Sequence, residues 1–385
     1  MNPFFTLIKI ALGEAERFDA APTAEEWTEM FNEAQRQALL GVAFSGVERL
    51  PEEQRPGKDL IVRWYTVVSR MEDMNRHVNR RSVQVAERFR QDGFLGCILK
   101  GQGNATMYAN PLRRQCGDID IWLLPKDELG RDDFTWEQNR EVISEYVLRI
   151  LKARGEVEDR AIKYHHIEFP VLKDVAVEVH FFPMFMQNHW NIQNLLRFFK
   201  QTKDEVFRNR VELPEGVGEI CMPTAKFNAV YQLTHVFVHF IIEGIGLRHF
   251  VDYYYVLKNL NQEDKPFVVK WLKKIGLFGF SRAVMYVLKE ALGMDEKYLI
   301  SEPHEKRGKV LISEILAGGN FGKYETRYWS KSDGFLNKNW QKFKRNAHFT
   351  MSYPSELLAE PFFRMYHYWW GKRFQRRIMD RIKKV

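Results

Sequence analysis

The feature that most constrains this chain is a short alternating run, Gly117-Asp118-Ile119-Asp120-Ile121, inside the stretch 98–124. Alternation of period two marks a strand, in which successive side chains point to opposite faces. Asp118 and Asp120 then share one face, and Ile119 and Ile121 share the other. Two carboxylates on one strand edge repel each other and are costly to bury unless a cation stands between them. For an isolated pair of this kind, a solvated acidic edge is the plain alternative. The surroundings argue for chemistry instead. An apolar strand over 95–100 runs straight into Lys100-Gly101, and Gly101 and Gly103 let backbone N–H groups approach a phosphate closely. A short helix and the loop Pro111-Leu112-Arg113-Arg114 lead back to the acidic strand. Later, Val175-Ala176-Val177-Glu178-Val179-His180 alternates in the same way, with Glu178 and His180 on one face. Three carboxylates on two neighbouring strands beside a phosphate-sized turn make a candidate site for metal-assisted phosphoryl transfer.

The ordered set Lys100-Gly101, Arg114-Gln115-Cys116-Gly117-Asp118-Ile119-Asp120 and Glu178-Val179-His180 resembles the poorly characterised nucleotidyltransferase-like family of the DNA-polymerase-β-like superfamily. Pro223-Thr224, His235, His239 and Arg248-His249-Phe250-Val251-Asp252 are similar to that family's helical half. The resemblance covers residues 1–260 and, more loosely, the remainder. Where the wider superfamily carries Gly-Gly or Gly-Ser ahead of the acidic pair, this chain has Lys100-Gly101-Gln102-Gly103.

The resemblance implies an α+β fold: a small mixed β-sheet core over 93–215, flanked by an N-terminal helical region over 1–92 and a C-terminal helical domain with a basic tail over 216–385. It also implies transfer of a nucleoside monophosphate from an NTP, ATP among them, to an unidentified hydroxyl. Asp118, Asp120 and Glu178 would hold Mg²⁺ or Mn²⁺ and carry catalysis. Lys100, Gly101 and Gly103 would hold the phosphates. Arg114 would neutralise phosphate charge or brace its loop by pairing with a carboxylate. His180 is a substrate contact, a partner that orients a carboxylate, or a packed strand residue. The alternative reading is a non-catalytic nucleotide- or RNA-binding protein on the same fold.

Composition bounds these readings. A chain of 385 residues exceeds what one hydrophobic core supports, and 45% hydrophobic with 14% aromatic residues exclude wholesale disorder. Three cysteines, Cys97, Cys116 and Cys221, form no Cys-x-x-Cys pair and fit a reducing compartment. No apolar run reaches the roughly 18 residues of a spanning helix, and residues 3–12 make no signal peptide. A cytoplasmic protein is expected. The net charge of +8 is uneven: residues 372–385 carry seven Lys or Arg and one Asp. That tail follows Phe362, Phe363, Met365, Tyr366, Trp369 and Trp370. Basic plus aromatic sequence suits an RNA backbone or an anionic membrane surface. Equally, the aromatics pack on the protein while the tail stays solvated.

The remaining pattern is helical at both ends. Thr23 and Glu26 have capping-box spacing, and Gly93 ends a long helix over 60–91 whose Arg76, Arg80 and Arg81 read as solvated surface. A helix over 136–154 turns Val142, Ile143, Tyr146, Val147 and Ile150 inward and stops at Gly155. Residues 165–172 and 175–182 form a hairpin joined at Lys173-Asp174. His165 and His166 are adjacent, so at most one faces the site; His166 is the weak candidate. Thr224 caps a helix over 225–243 that sets His235 and His239 at i and i+4, a core or cleft pair rather than a metal site. Arg248 and Asp252 have the spacing of a helix ion pair. Residues 323–339 read as a loop and 340–351 as a helix.

Overall fold

The structure, a computed structural model, describes residues 2–155, 162–327 and 335–383. Fifteen helices and six strands run along the described residues. The helices are α1 (Pro3–Leu12), α2 (Ala24–Arg36), α3 (Leu40–Arg49), α4 (Lys58–Gln91), α5 (Gln102–Ala105), α6 (Trp136–Ala153), α7 (His189–Arg208), α8 (Ala225–Ile242), α9 (Arg248–Lys258), α10 (Lys265–Lys274), α11 (Phe278–Leu292), α12 (Glu305–Gly318), α13 (Phe335–Thr350), α14 (Pro354–Leu357) and α15 (Glu360–Lys383). The strands are β1 (Phe94–Ile98), β2 (Ile119–Pro125), β3 (His166–Glu168), β4 (Val177–His180), β5 (Arg210–Glu212) and β6 (Glu219–Cys221). They form one sheet in the order β3-β4-β2-β1-β6-β5. Pairing is mixed, with β2 parallel to β4 and antiparallel to β1. The α+β expectation, a small mixed sheet with helical sequence on either side of it, is what the chain forms.

The chain divides into two compact units, one made of residues 1–77, 107–116 and 228–349, the other of 78–106, 117–227 and 350–385. Neither is a continuous segment. The first unit is helical. Its N-terminal elements start where local chemistry says they should: Thr23 and Glu26 form the full capping box of α2, and Asn2 caps α1. Trp64 is fully buried against Phe31 and Phe44.

The second unit carries the sheet. β2 is buried from Ile119 to Leu124, and Ile121, Trp122, Leu123 and Leu124 have no exposed surface. Trp122 packs on Phe207 at 4.7 Å between ring centres and stacks on Phe227 at 6.0 Å. Such a strand, covered on both faces, is apolar throughout unless function intervenes. Asp120 is the interruption. β3 and β4 form the expected hairpin, pairing His166 with His180 and Glu168 with Glu178. On α6 the inward row is Asn139, Arg140, Ile143, Ser144, Val147, Leu148 and Leu151. Val142, expected inside, is 46% exposed, because the buried row follows a slightly different helical face from the most apolar one.

The C-terminal tail docks on this same unit. Phe374, Ile378 and Ile382, spaced four apart on α15, are buried, and Phe363, His367 and Trp370 join a ring cluster around Tyr164. The tail helix is thus seated by its apolar row, while its described Lys and Arg side chains stay exposed. Arg377 pairs with Glu137 and Glu141, and Arg381 with Glu141 and Glu145, so an acidic row on α6 faces a basic row on α15. Lys384 and Val385 lie outside the described residues. Ion pairs of this exposure add little, so the apolar row holds the helix. Ile378→Ala is expected to cost about 2–4 kcal/mol, read as a lower denaturant midpoint that added salt barely changes. A cost below about 1 kcal/mol would show that α15 is held by charge instead.

Other expectations shift at the edges. Helix α13 begins at Phe335, so the loop read over 323–339 ends earlier; residues 328–334 of it lie outside the described residues. Arg81, read as solvated, forms an ion pair with Asp174 at 2.7 Å. No helix among the described residues is long and apolar enough to cross a membrane.

Candidate active site

The site is built by strand register. β2 and β4 run side by side with Asp120 opposite Glu178 and Trp122 opposite His180. Val177 and Val179 bury themselves on one face of β4, which puts Glu178 and His180 on the other. His180 Nε2 lies 3.1 Å from Asp120 Oδ1 and 3.8 Å from Glu178 Oε2. One ligand atom from each of Asp120, Glu178 and His180 falls within 4.8 Å of the others, a spacing that would hold a metal ion. Asp118 comes one residue before β2, is exposed, and is not a member of that group.

Lys100 sits at the end of the turn that follows β1. Its ammonium is 3.3 Å from Asp120 Oδ1, and Leu99 N–H donates to the Asp120 carbonyl at 2.9 Å, tying the turn to β2. Gly101 has φ of +63°, which only glycine adopts without strain, and it starts α5. Gly103 has a different reason to be glycine: a Cβ there would stand 3.0 Å from the Cβ of Met222. Its small size serves packing. Next to it Asn104 is 1% exposed and neither of its amide atoms has a hydrogen-bond partner. A buried amide left unpaired costs about 1–3 kcal/mol, and Asn104 carries that cost beside the turn. The sequence pointed to the backbone of residues 101–104 as a phosphate cradle, but not to the Asn104 side chain.

Charge in the site is finely set. Burial alone would raise the Asp120 carboxyl, but the Lys100 ammonium and the His180 imidazole outweigh it and hold it well below the usual carboxylate range. Glu178 goes the other way, raised by burial and by the neighbouring Asp120 charge. Two neighbouring carboxylates with opposite shifts are a frequent mark of a functional centre. The His166 imidazole is pushed down to about 2 by burial, with the charges of His180 and Lys163 adding to the effect. It is therefore neutral at ordinary pH.

His165 and His166 both approach His180, with ring centres 5.2 Å from it in each case. The expectation that at most one could do so fails because β3 starts only at His166. His165 lies in the bend before it, where side chains no longer alternate. The signal for His166 was available: folding the hairpin about Lys173 puts it opposite His180.

Arg114 goes elsewhere. In the helical unit its guanidinium grips Asp252 with two hydrogen bonds of 2.7 Å, and Tyr108 donates a third to the same carboxylate at 2.6 Å. Asn75 donates to the carbonyls of Leu112 and Arg114 and fixes that loop's backbone. The i, i+4 spacing of Arg248 and Asp252 thus does not make a pair. Arg248 donates to the Gln115 carbonyl instead. His235 and His239 lie tilted against each other with ring centres 4.4 Å apart, and His239 faces Glu243 at 3.6 Å.

No curated protein and no solved structure matches the sequence. The family described as "uncharacterised nucleotidyltransferase" matches residues 23–293, well over half of the chain and a span that includes Lys100, Asp118, Asp120, Glu178 and His180. The chain belongs to that family.

Proposed function

We propose that this protein transfers a nucleoside monophosphate from an NTP to a hydroxyl acceptor at the Asp118, Asp120 and Glu178 site, and that the transfer depends on a divalent cation. The observation that carries the reading is Asp120 opposite Glu178 in register on two parallel strands, with Asp120 buried and a cationic group already beside it. The donor set fits. The Glu178 carboxyl, raised by burial and by the Asp120 charge beside it, is relieved by a hard cation, and Mg²⁺ and Mn²⁺ prefer such oxygen ligands. Asp120 and Glu178 would hold it, with Asp118 at the exposed mouth. When bound, the cation supplies positive charge against the triphosphate and lowers the pKa of the acceptor hydroxyl.

The protein's own groups do the positioning. Lys100, held now by Asp120, supplies positive charge for the phosphates, and the positive φ of Gly101 lets the backbone turn close to them. His180 braces the Asp120 carboxylate through Nε2. Gly103 keeps the turn packed, and Arg114 acts as the brace of the loop entering the acidic strand.

Calorimetry with ATP, GTP, CTP and UTP in Mg²⁺ or Mn²⁺, on wild type and on Asp118→Ala/Asp120→Ala, tests the reading. Cation-dependent binding that vanishes in the double variant is the expected result and names the donor. Absent binding in wild type, or binding unchanged in the variant, would overturn it.

A further inference from the structure

We infer that His165, His166 and His180 form a second cation site, distinct in chemistry from the carboxylate site and selective for a borderline transition metal of the Zn²⁺ and Co²⁺ type. One ligand nitrogen from each of the three lies within 4.8 Å of the others. His165 Nε2 and His166 Nδ1 face each other at 3.1 Å. That is close to the ligand-to-ligand spacing of about 3.4 Å that tetrahedral Zn–N bonds impose.

Hydrogen bonding within the protein accounts for only one nitrogen each of His166 and His180: His166 Nδ1 meets His165 Nε2, and His180 Nε2 meets Asp120. His166 is 6% exposed and His180 3% exposed. Yet His166 Nε2 and His180 Nδ1 are buried with no hydrogen-bond partner. A buried imidazole nitrogen without a partner is costly, and three imidazoles gathered on one strand pair raise the cost further. Packing alone would be served as well by Leu or Phe. A cation on the Nδ1 atoms of His166 and His180 removes the penalty, because the neutral imidazole is the ligand form. It satisfies His180 Nδ1 directly and leaves the His166 ring proton on Nε2, facing Glu178 Oε2 at 3.5 Å. Nitrogen donors favour Zn²⁺, Co²⁺, Ni²⁺ and Cu²⁺ over Mg²⁺, which prefers oxygen. Glu178, with Oε2 3.5 Å from His166 Nε2, supplies the negative charge such a site needs at its edge.

His180 belongs to both groups. Its Nε2 is at Asp120, which leaves Nδ1 as the nitrogen it can offer His165 and His166. A cation on Nδ1 places the ring proton on Nε2, where it donates to Asp120 Oδ1. The second site would therefore lock the tautomer that braces the catalytic carboxylate, as partners of metal ligands do elsewhere. The inference shares His180 and Glu178 with the nucleotidyltransferase reading but does not require it.

The test uses the full chain stripped of metal and titrated with Co²⁺ alone, read by its visible ligand-field absorption and by competition with Zn²⁺. Wild type is expected to bind one Co²⁺ with a nitrogen-rich spectrum. His165→Ala, at a half-buried position that keeps the fold, is expected to weaken it at least about tenfold, and His166→Gln likewise. Asp118→Ala, outside the histidine group, is expected to leave it intact. No ligand-field spectrum in wild type, or the same affinity in both histidine variants, would overturn the inference. Nucleotide binding measured on the same samples keeps the two ideas apart. A retained Co²⁺ site without nucleotide binding counts against the transferase alone. Nucleotide binding without a Co²⁺ site counts against the second cation alone.

Discussion

Asp120→Asn is expected to lower the rate of nucleotide transfer about 1,000-fold or more, the scale seen when one charge essential to phosphoryl transfer is removed. The substitution preserves volume in a stretch, Ile119 to Leu124, that is buried throughout. What it removes is the negative charge that Lys100 and His180 both address. A loss of this size corresponds to about 4 kcal/mol of transition-state stabilisation. Two readouts separate loss of chemistry from loss of fold: near-wild-type thermal unfolding, and a titration of Glu178. Glu178 is raised by burial and by the Asp120 charge, so in the Asp120→Asn variant its carboxyl is expected to move back toward the ordinary value. A transfer rate within tenfold of wild type would remove Asp120 from the reaction.

The second large effect lies in the helical unit and concerns stability. Asp252→Ala is expected to cost about 3–5 kcal/mol, the penalty for leaving a buried charge uncompensated. Arg114 is 4% exposed and spends two donors on Asp252. Removing the carboxylate leaves that guanidinium, and the Tyr108 hydroxyl, facing nothing. The pH dependence follows in sign. Burial would raise the Asp252 carboxyl, but Arg114, with Arg248 and Tyr108 adding to it, outweighs burial and lowers it. A carboxyl lowered in the folded state contributes stability that is complete above the unfolded-state value of about 3.9 and is lost as pH falls through the folded one. Wild type is thus expected to lose this contribution on acidification, and Asp252→Ala to be less sensitive over the same range. Denaturant melts at neutral and acid pH measure both. A cost under about 1 kcal/mol would mean that the pair is no better than a surface ion pair.

The sequence by itself determined what local chemistry decides. Period-two alternation set Asp120 and Glu178 opposite apolar faces, the Thr23 and Glu26 spacing started α2, and Gly93 ended α4 with φ of +92°. These signals depend on neighbours a few residues away, so they survive without knowledge of the fold. The alternation alone left an antiparallel or a mixed sheet open, and it was the family resemblance that implied the mixed one.

Only the tertiary structure decided who meets whom. Asp118 and Asp120 share a sequence pattern, yet one is exposed and the other buried, because the strand begins between them. Arg114 found Asp252, 138 residues away, while the nearer-looking Arg248 went to a carbonyl. Lys100 turned to Asp120 and two adjacent histidines converged on a third. The basic tail closed on an acidic row more than 200 residues before it. Each of these is a pairing across the chain, set by which surfaces the buried strands and helices bring together, and no period or motif in a linear sequence encodes that distance.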